Sequence, residues 1–214
     1  MPKIKNYQIV DQKRLHFGFT IGLNEMDFSV RRPALSDIND TMYADVSRLE
    51  PGFQVSIVSE IKINDDLALR FLPGLNFGQR NLNFIKPDGE SENEMKLESN
   101  YLDFPLLLKY KSKRINNYRP YLVTGFSLRY DMAARKDYDP ATNEYILLKP
   151  FDYYWEFGFG VDFYLTYFKF STELKLALGF RDVMVNEPAL GFDEYVNAID
   201  RLSSKIVMLS FHFE

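Results

Sequence analysis

From Phe151 to Leu165 the chain alternates without a break. The odd positions are Phe151, Tyr153, Trp155, Phe157, Phe159, Val161, Phe163 and Leu165; the even ones are Asp152, Tyr154, Glu156, Gly158, Gly160, Asp162 and Tyr164. Successive strand side chains point to opposite faces, so one face is aromatic and aliphatic and the other acidic, hydroxylated or glycine. The pattern recurs over 14–24, 53–63, 67–85, 97–110, 120–132, 168–181 and 202–214. Repeated alternation, with an apolar face for lipid and a polar face for a lumen, is the signature of a membrane β-barrel. The expected fold is all-β: an eight-stranded antiparallel transmembrane barrel with up-and-down topology and a polar, plugged lumen.

Composition sharpens that expectation. The sequence holds 19 Phe and 14 Tyr against 1 Trp, which suits a lipid face with interfacial tyrosines. It has no apolar run of about 18 residues, which excludes a membrane-crossing helix but not a barrel. Cysteine is absent, which removes disulfides, thiol catalysis and cysteine-based metal sites. The net charge of −4 is spread along the chain with no basic cluster, so no nucleic-acid partner is expected. Gly-rich phosphate loops, zinc motifs and nucleophile elbows are also missing. No cofactor and no small-molecule substrate are expected.

Residues 1–13 read as a polar tail and 14–214 as the barrel. Met1-Pro2-Lys3-Ile4-Lys5 lacks the apolar core of a signal peptide, whereas a barrel needs export. The expectation is a mature chain whose export signal lies outside this sequence. Connections near 64–66, 112–118 and 166–167 are short, and those near 31–52, 86–96, 133–149 and 182–201 are long. Short periplasmic turns and long extracellular loops are the rule in outer-membrane barrels, so both termini should be periplasmic. Within the first strand the apolar parity passes to Met26, Phe28 and Val30, implying either a bulge or an extension beyond the membrane. Pro73 and Pro105 fall inside strands and should mark irregularities. Asp193 to Leu202 has the makings of a short helix.

A soluble barrel would turn its apolar residues inward. Here the polar faces carry charge, and an eight-stranded barrel is just wide enough for side chains to fill. Glu60, Arg70, Lys109, Arg129, Glu156, Asp162, Glu173 and Lys175 are therefore expected to form a lumen ion network. A paired-carboxylate or ion-path role is the rarer alternative, because buried charges need partners in any case. His16 and His212 fall near the periplasmic ends of neighbouring strands. That is the wrong end for chemistry on outer-leaflet lipid, and metal binding with Glu214 would be short of typical ligand numbers. No catalytic, cofactor or metal residues are assigned. The extracellular connection 133–149 is the first candidate for partner binding, through Tyr138, Tyr145, Ile146, Leu147 and Leu148. The competing reading is that Tyr145 to Leu148 simply extends the next strand above the membrane.

Two stretches carry a family resemblance. Asn100-Tyr101-Leu102-Asp103-Phe104-Pro105-Leu106-Leu107-Leu108-Lys109-Tyr110-Lys111 and Arg119-Pro120-Tyr121-Leu122-Val123-Thr124-Gly125-Phe126-Ser127-Leu128 resemble the PorT-type outer-membrane barrel family. The opening Leu15-His16-Phe17-Gly18-Phe19-Thr20-Ile21-Gly22-Leu23-Asn24 is similar to it as well. The closing Ser210-Phe211-His212-Phe213-Glu214 resembles the C-terminal strand signal that barrel-assembly machinery reads. The resemblance implies an integral outer-membrane protein without enzymatic residues. Its partners would be other envelope or secretion-system proteins and outer-membrane lipid, in type IX protein secretion linked to gliding motility. The alternatives are a generic structural or adhesive barrel and a lipid-modifying enzyme.

Overall fold

The computed structural model describes residues 6, 13–31, 43–85, 91–134, 146–185 and 199–214. Ten strand segments follow one another: β1 (Leu15–Arg31), β2 (Tyr43–Leu49), β3 (Pro51–Lys62), β4 (Leu67–Phe71), β5 (Gly74–Ile85), β6 (Ser91–Lys111), β7 (Tyr118–Asp131), β8 (Phe151–Tyr164), β9 (Lys169–Gly179) and β10 (Arg201–Phe213). All their pairings are antiparallel, and β1 pairs with both β10 and β3, so the sheet closes on itself. Two neighbouring segments merge into one stave in two places. β2 and β3 both pair with β5, across register shifts near Glu50. β4 and β5 both pair with β3 and β6. Counted as staves, the described residues form a barrel of eight, in chain order.

The two prolines explain the break between β4 and β5. Phe71 faces Leu106 and Gly74 faces Asp103, so the register is unchanged across the gap. Leu72 N–H still donates to the Pro105 carbonyl, and Ile57 N–H to that of Pro73. What is lost is the pair of donors that proline lacks. The irregularity is thus an interruption of hydrogen bonding with no bulge.

Alternation places the side chains as the sequence implies. Phe17, Ile57, Phe126 and Phe159 lie on the outer surface, while Arg70, Lys109 and Arg129 are wholly buried inside. Leu176 and Phe157 face each other across β8 and β9 on the outer face. The closing seam is aromatic: Phe19 stacks on Phe213 at 4.9 Å, and Phe170 lies against both Phe211 and Phe213. Inside, Tyr121 faces Gly160 across the β7–β8 ladder, and any Cβ on Gly160 would run into that ring.

The strands rise beyond the apolar belt at the end away from the termini. In β1 the parity never changes: Thr20, Asn24, Met26 and Phe28 all point inward. What changes is polarity, because Glu25, Asp27 and Ser29 now take the outer positions. There is no bulge at this point, and the extension accounts for the pattern. Phe28, Leu82, Phe84, Met95, Leu97, Ile146, Leu148, Val183, Met184, Ile199 and Leu202 form an apolar plug across the upper bore. Strands extend into regions expected to be loops for the same reason. β2 occupies part of 31–52, and β6 begins at Ser91 rather than near residue 97. Of the stretch suggested as a helix, 193–198 lies outside the described residues, and Arg201 already belongs to β10.

Candidate functional site

The lumen below the apolar plug is a stack of ion pairs. At the end nearest the termini, Arg70 pairs with Glu60 at 2.7 Å and with Glu173 and Glu214 at 3.2 Å each. Lys109 reaches Asp162 at 2.8 Å and Glu60 at 3.6 Å. Lys111 binds Glu60 at 3.1 Å, and Lys169 binds Glu214 at 2.7 Å. Four cations thus meet four carboxylates. Tyr121 donates its hydroxyl to Glu173 at 3.0 Å, and the Lys109 ammonium lies 3.7 Å from the centre of its ring. Higher up, Arg129 pairs with Glu156 at 2.6 Å and Asp103 at 3.1 Å, and Lys175 pairs with Glu156 at 2.6 Å. Above these, Arg80 stacks on Phe28 and approaches Asp131 at 3.4 Å.

All eight residues expected in the lumen network are in it. The network also draws in Lys111, Lys169, Glu214, Asp103, Arg80 and Asp131. Their inward parity was readable, but the partner of each depends on how staves stagger across the bore, which sequence does not encode.

The histidines go to different places. His212 Nδ1 lies 2.7 Å from Thr20 Oγ1, and its Nε2 lies 3.4 Å from Glu173. Hydroxyl, imidazole and carboxylate in a row match the composition of a nucleophilic triad. All three residues are buried, Thr20 only 2% exposed, so no substrate reaches the hydroxyl. His16 instead lines the lower mouth with Glu60, Lys62, Lys111, Arg119, Tyr164 and Lys169. Asn6 is tied to the β6–β7 turn: its N–H donates to Asn117 at 2.9 Å, and Arg114 donates to its carbonyl. At the nearby β3–β4 turn, a hydrogen bond from Lys62 holds the exposed Asp65 carboxyl below its ordinary pKa.

The proposed contact residues in the β7–β8 connection divide. Ile146 and Leu148 are buried in the apolar plug, and Leu148 bridges to Met184. Their side chains belong to the plug, and both also line the cleft at its edge. Leu147 is half-exposed. Tyr138 and Tyr145 lie outside the described residues.

Residues 6–185 match the family model of the outer membrane protein β-barrel domain. The chain belongs to that family. This outer-membrane barrel is an integral protein of the outer membrane, with its termini and short turns at one rim and its long connections at the other. Three solved structures are similar in fold. Neisserial surface protein A has 11% identity, covering 91% of this chain and 95% of its own, at a TM-score of 0.46. The attachment invasion locus protein Ail of Yersinia pestis has 13% identity, covering 94% and 99%, at 0.43. OprG of Pseudomonas aeruginosa has 12% identity, covering 93% and 91%, at 0.45. No curated protein matches the chain.

Proposed function

We propose that this outer-membrane barrel is a non-enzymatic component that works through polypeptide contacts outside the hydrocarbon, as part of a type IX protein-secretion machine. The observation that carries the first half is the closed bore. Ion pairs centred on Arg70, Lys109 and Arg129 and the apolar plug above them fill the interior, so cargo and solutes have no way through. A triad-like row at Thr20, His212 and Glu173 is sealed from substrate. The second half rests on the PorT-type character of 100–111 and 119–128. Deleting the gene should block secretion of many cargo proteins and gliding while leaving the outer membrane intact. Normal secretion in the deletion strain would remove the secretion role.

A structural or adhesive barrel is a second reading. It is favoured by the height of the extracellular rim, where β6 continues about ten residues past its last pair with β7. Loss of surface attachment with normal secretion would select it. A lipid-modifying enzyme would instead change the lipid A mass spectrum on deletion.

A further inference from the structure

At the extracellular rim one stave stops early. The β6–β7 ladder ends at Tyr101 facing Asp131, while β6 runs on to Ser91 paired with β5 and, among the described residues, with no strand on its other edge. Asp131 causes the stop. Its carboxylate accepts the Asn100 N–H at 3.1 Å and the Ala133 N–H at 3.0 Å, which turns the chain at Met132 and Ala133 and leaves Ala133 and Ala134 on the lining of the cleft that opens there. On the other side of β7, Asp131 N–H takes the carbonyl of Pro150, and the chain before Pro150 continues upward as 146–149. That extension is bonded to β9's continuation: Lys149 N–H donates to Val183 and Val185 N–H to Leu147.

A place one strand wide is left between β6 and 146–149, about 9–10 Å across, because neighbouring strands lie about 4.8 Å apart. It is a cleft of about 510 Å³, lined by Lys96, Leu97, Glu98, Asp131, Ile146 and Leu148 among others. Both walls present backbone groups to it. Asn100 turns its N–H and carbonyl toward β7, so by the two-residue alternation Glu98 and Lys96 turn theirs the same way. Leu147 and Lys149 face β9, so Ile146 and Leu148 face the cleft. Among the described residues no strand occupies it.

We infer that this cleft is a strand-receiving slot, which takes an extended segment of a partner polypeptide by completing the β6 edge. Addition of a strand to an open edge supplies main-chain hydrogen bonds, and pockets for alternate side chains supply selectivity. Inward side chains of the segment would land on Leu97, Ile146 and Leu148 and must be apolar. Outward ones would lie beside Lys96 and Glu98, so an acidic residue suits the first and a basic residue the second. The occupant is thus an extended, alternating segment with outward charges of both signs. The inference rests on the reading that the barrel works through polypeptide contacts, and it names the place.

The test is amide hydrogen exchange on the purified full-length barrel in nanodiscs. The probes are ten-residue peptides alternating Val with Thr, Glu or Lys. At about ten times Kd, exchange at Lys96, Glu98, Ile146 and Leu148 should slow roughly tenfold. The β7–β8 ladder should not change. Glu98→Pro, which removes a slot-facing donor and spares the β5 ladder, should abolish the protection. So should N-methylation of alternate peptide residues, which leaves the protein untouched. Amides already protected without peptide would show that the chain fills its own slot and would overturn the inference. So would the absence of peptide protection, or equal protection by the N-methylated peptide. Failed secretion on gene deletion together with any of those results would sink the slot and spare the secretion reading.

Discussion

Arg70 shows what a single residue does in this bore. It is fully buried and touches Glu60, Glu173 and Glu214, carboxylates from β3, β9 and the C-terminus. Truncating it leaves several buried carboxylates without their shared cation. Arg70→Ala should cost about 3–5 kcal/mol, the usual penalty for orphaning a buried charge. Urea unfolding in detergent micelles would measure it. Leu176, facing lipid, tests the opposite wall: Leu176→Arg should cost about 2–4 kcal/mol if it lies at mid-bilayer. Ser171 faces inward and donates to Asp162 at 2.6 Å, so Ser171→Arg should disturb packing in a net already balanced. Equal, negligible effects at Leu176 and Ser171 would contradict the observed faces. The face of each of these residues was legible from parity alone. That Arg70 meets Glu173, 103 positions away, was not, because cross-bore distance depends on stagger and not on local pattern.

At the scale of elements, strand pairing tracks alternation wherever one side faces lipid. It was harder to read at the rim. There the apolar residues move to the inward positions and polar ones to the outward, so Met95 and Leu97 on β6, flanked by Lys96 and Glu98, look like a polar loop with stray hydrophobes. The segment 146–148 illustrates the same confusion. Its apolar run looked like contact surface, yet Ile146 and Leu148 close the bore. Leu148→Ala should therefore destabilise the rim locally by about 2–4 kcal/mol, the cost of emptying a packed apolar site. It should appear as faster hydrogen exchange in 183–185 and 146–149 with the lower barrel unchanged. A loop replacement meant to test partner binding should end before Ile146, or it will read out the lost plug.

For the molecule as a whole, a filled bore predicts electrical silence. Reconstituted barrel should show no large stable conductance in planar bilayers, and a steady porin-like current would refute the plug. Neutralising Lys109 and Asp162 together should not open it, since Tyr121, Glu60 and Arg70 still crowd the same level. The change of polarity along β1 has a further effect. Leu15 to Leu23 gives nine residues of belt, five of them facing outward, close to the span of about 9–11 residues that a tilted strand needs to cross hydrocarbon. Immediately above, Glu25 and Asp27 replace the lipid-facing side chains while Met26 and Phe28 dry the interior. The barrel thus carries a waterline. Sinking would drag two carboxylates into oil, and rising would lift phenylalanines into water. The rim and whatever docks on it are held at a set height above the membrane surface, like a mooring post of fixed length.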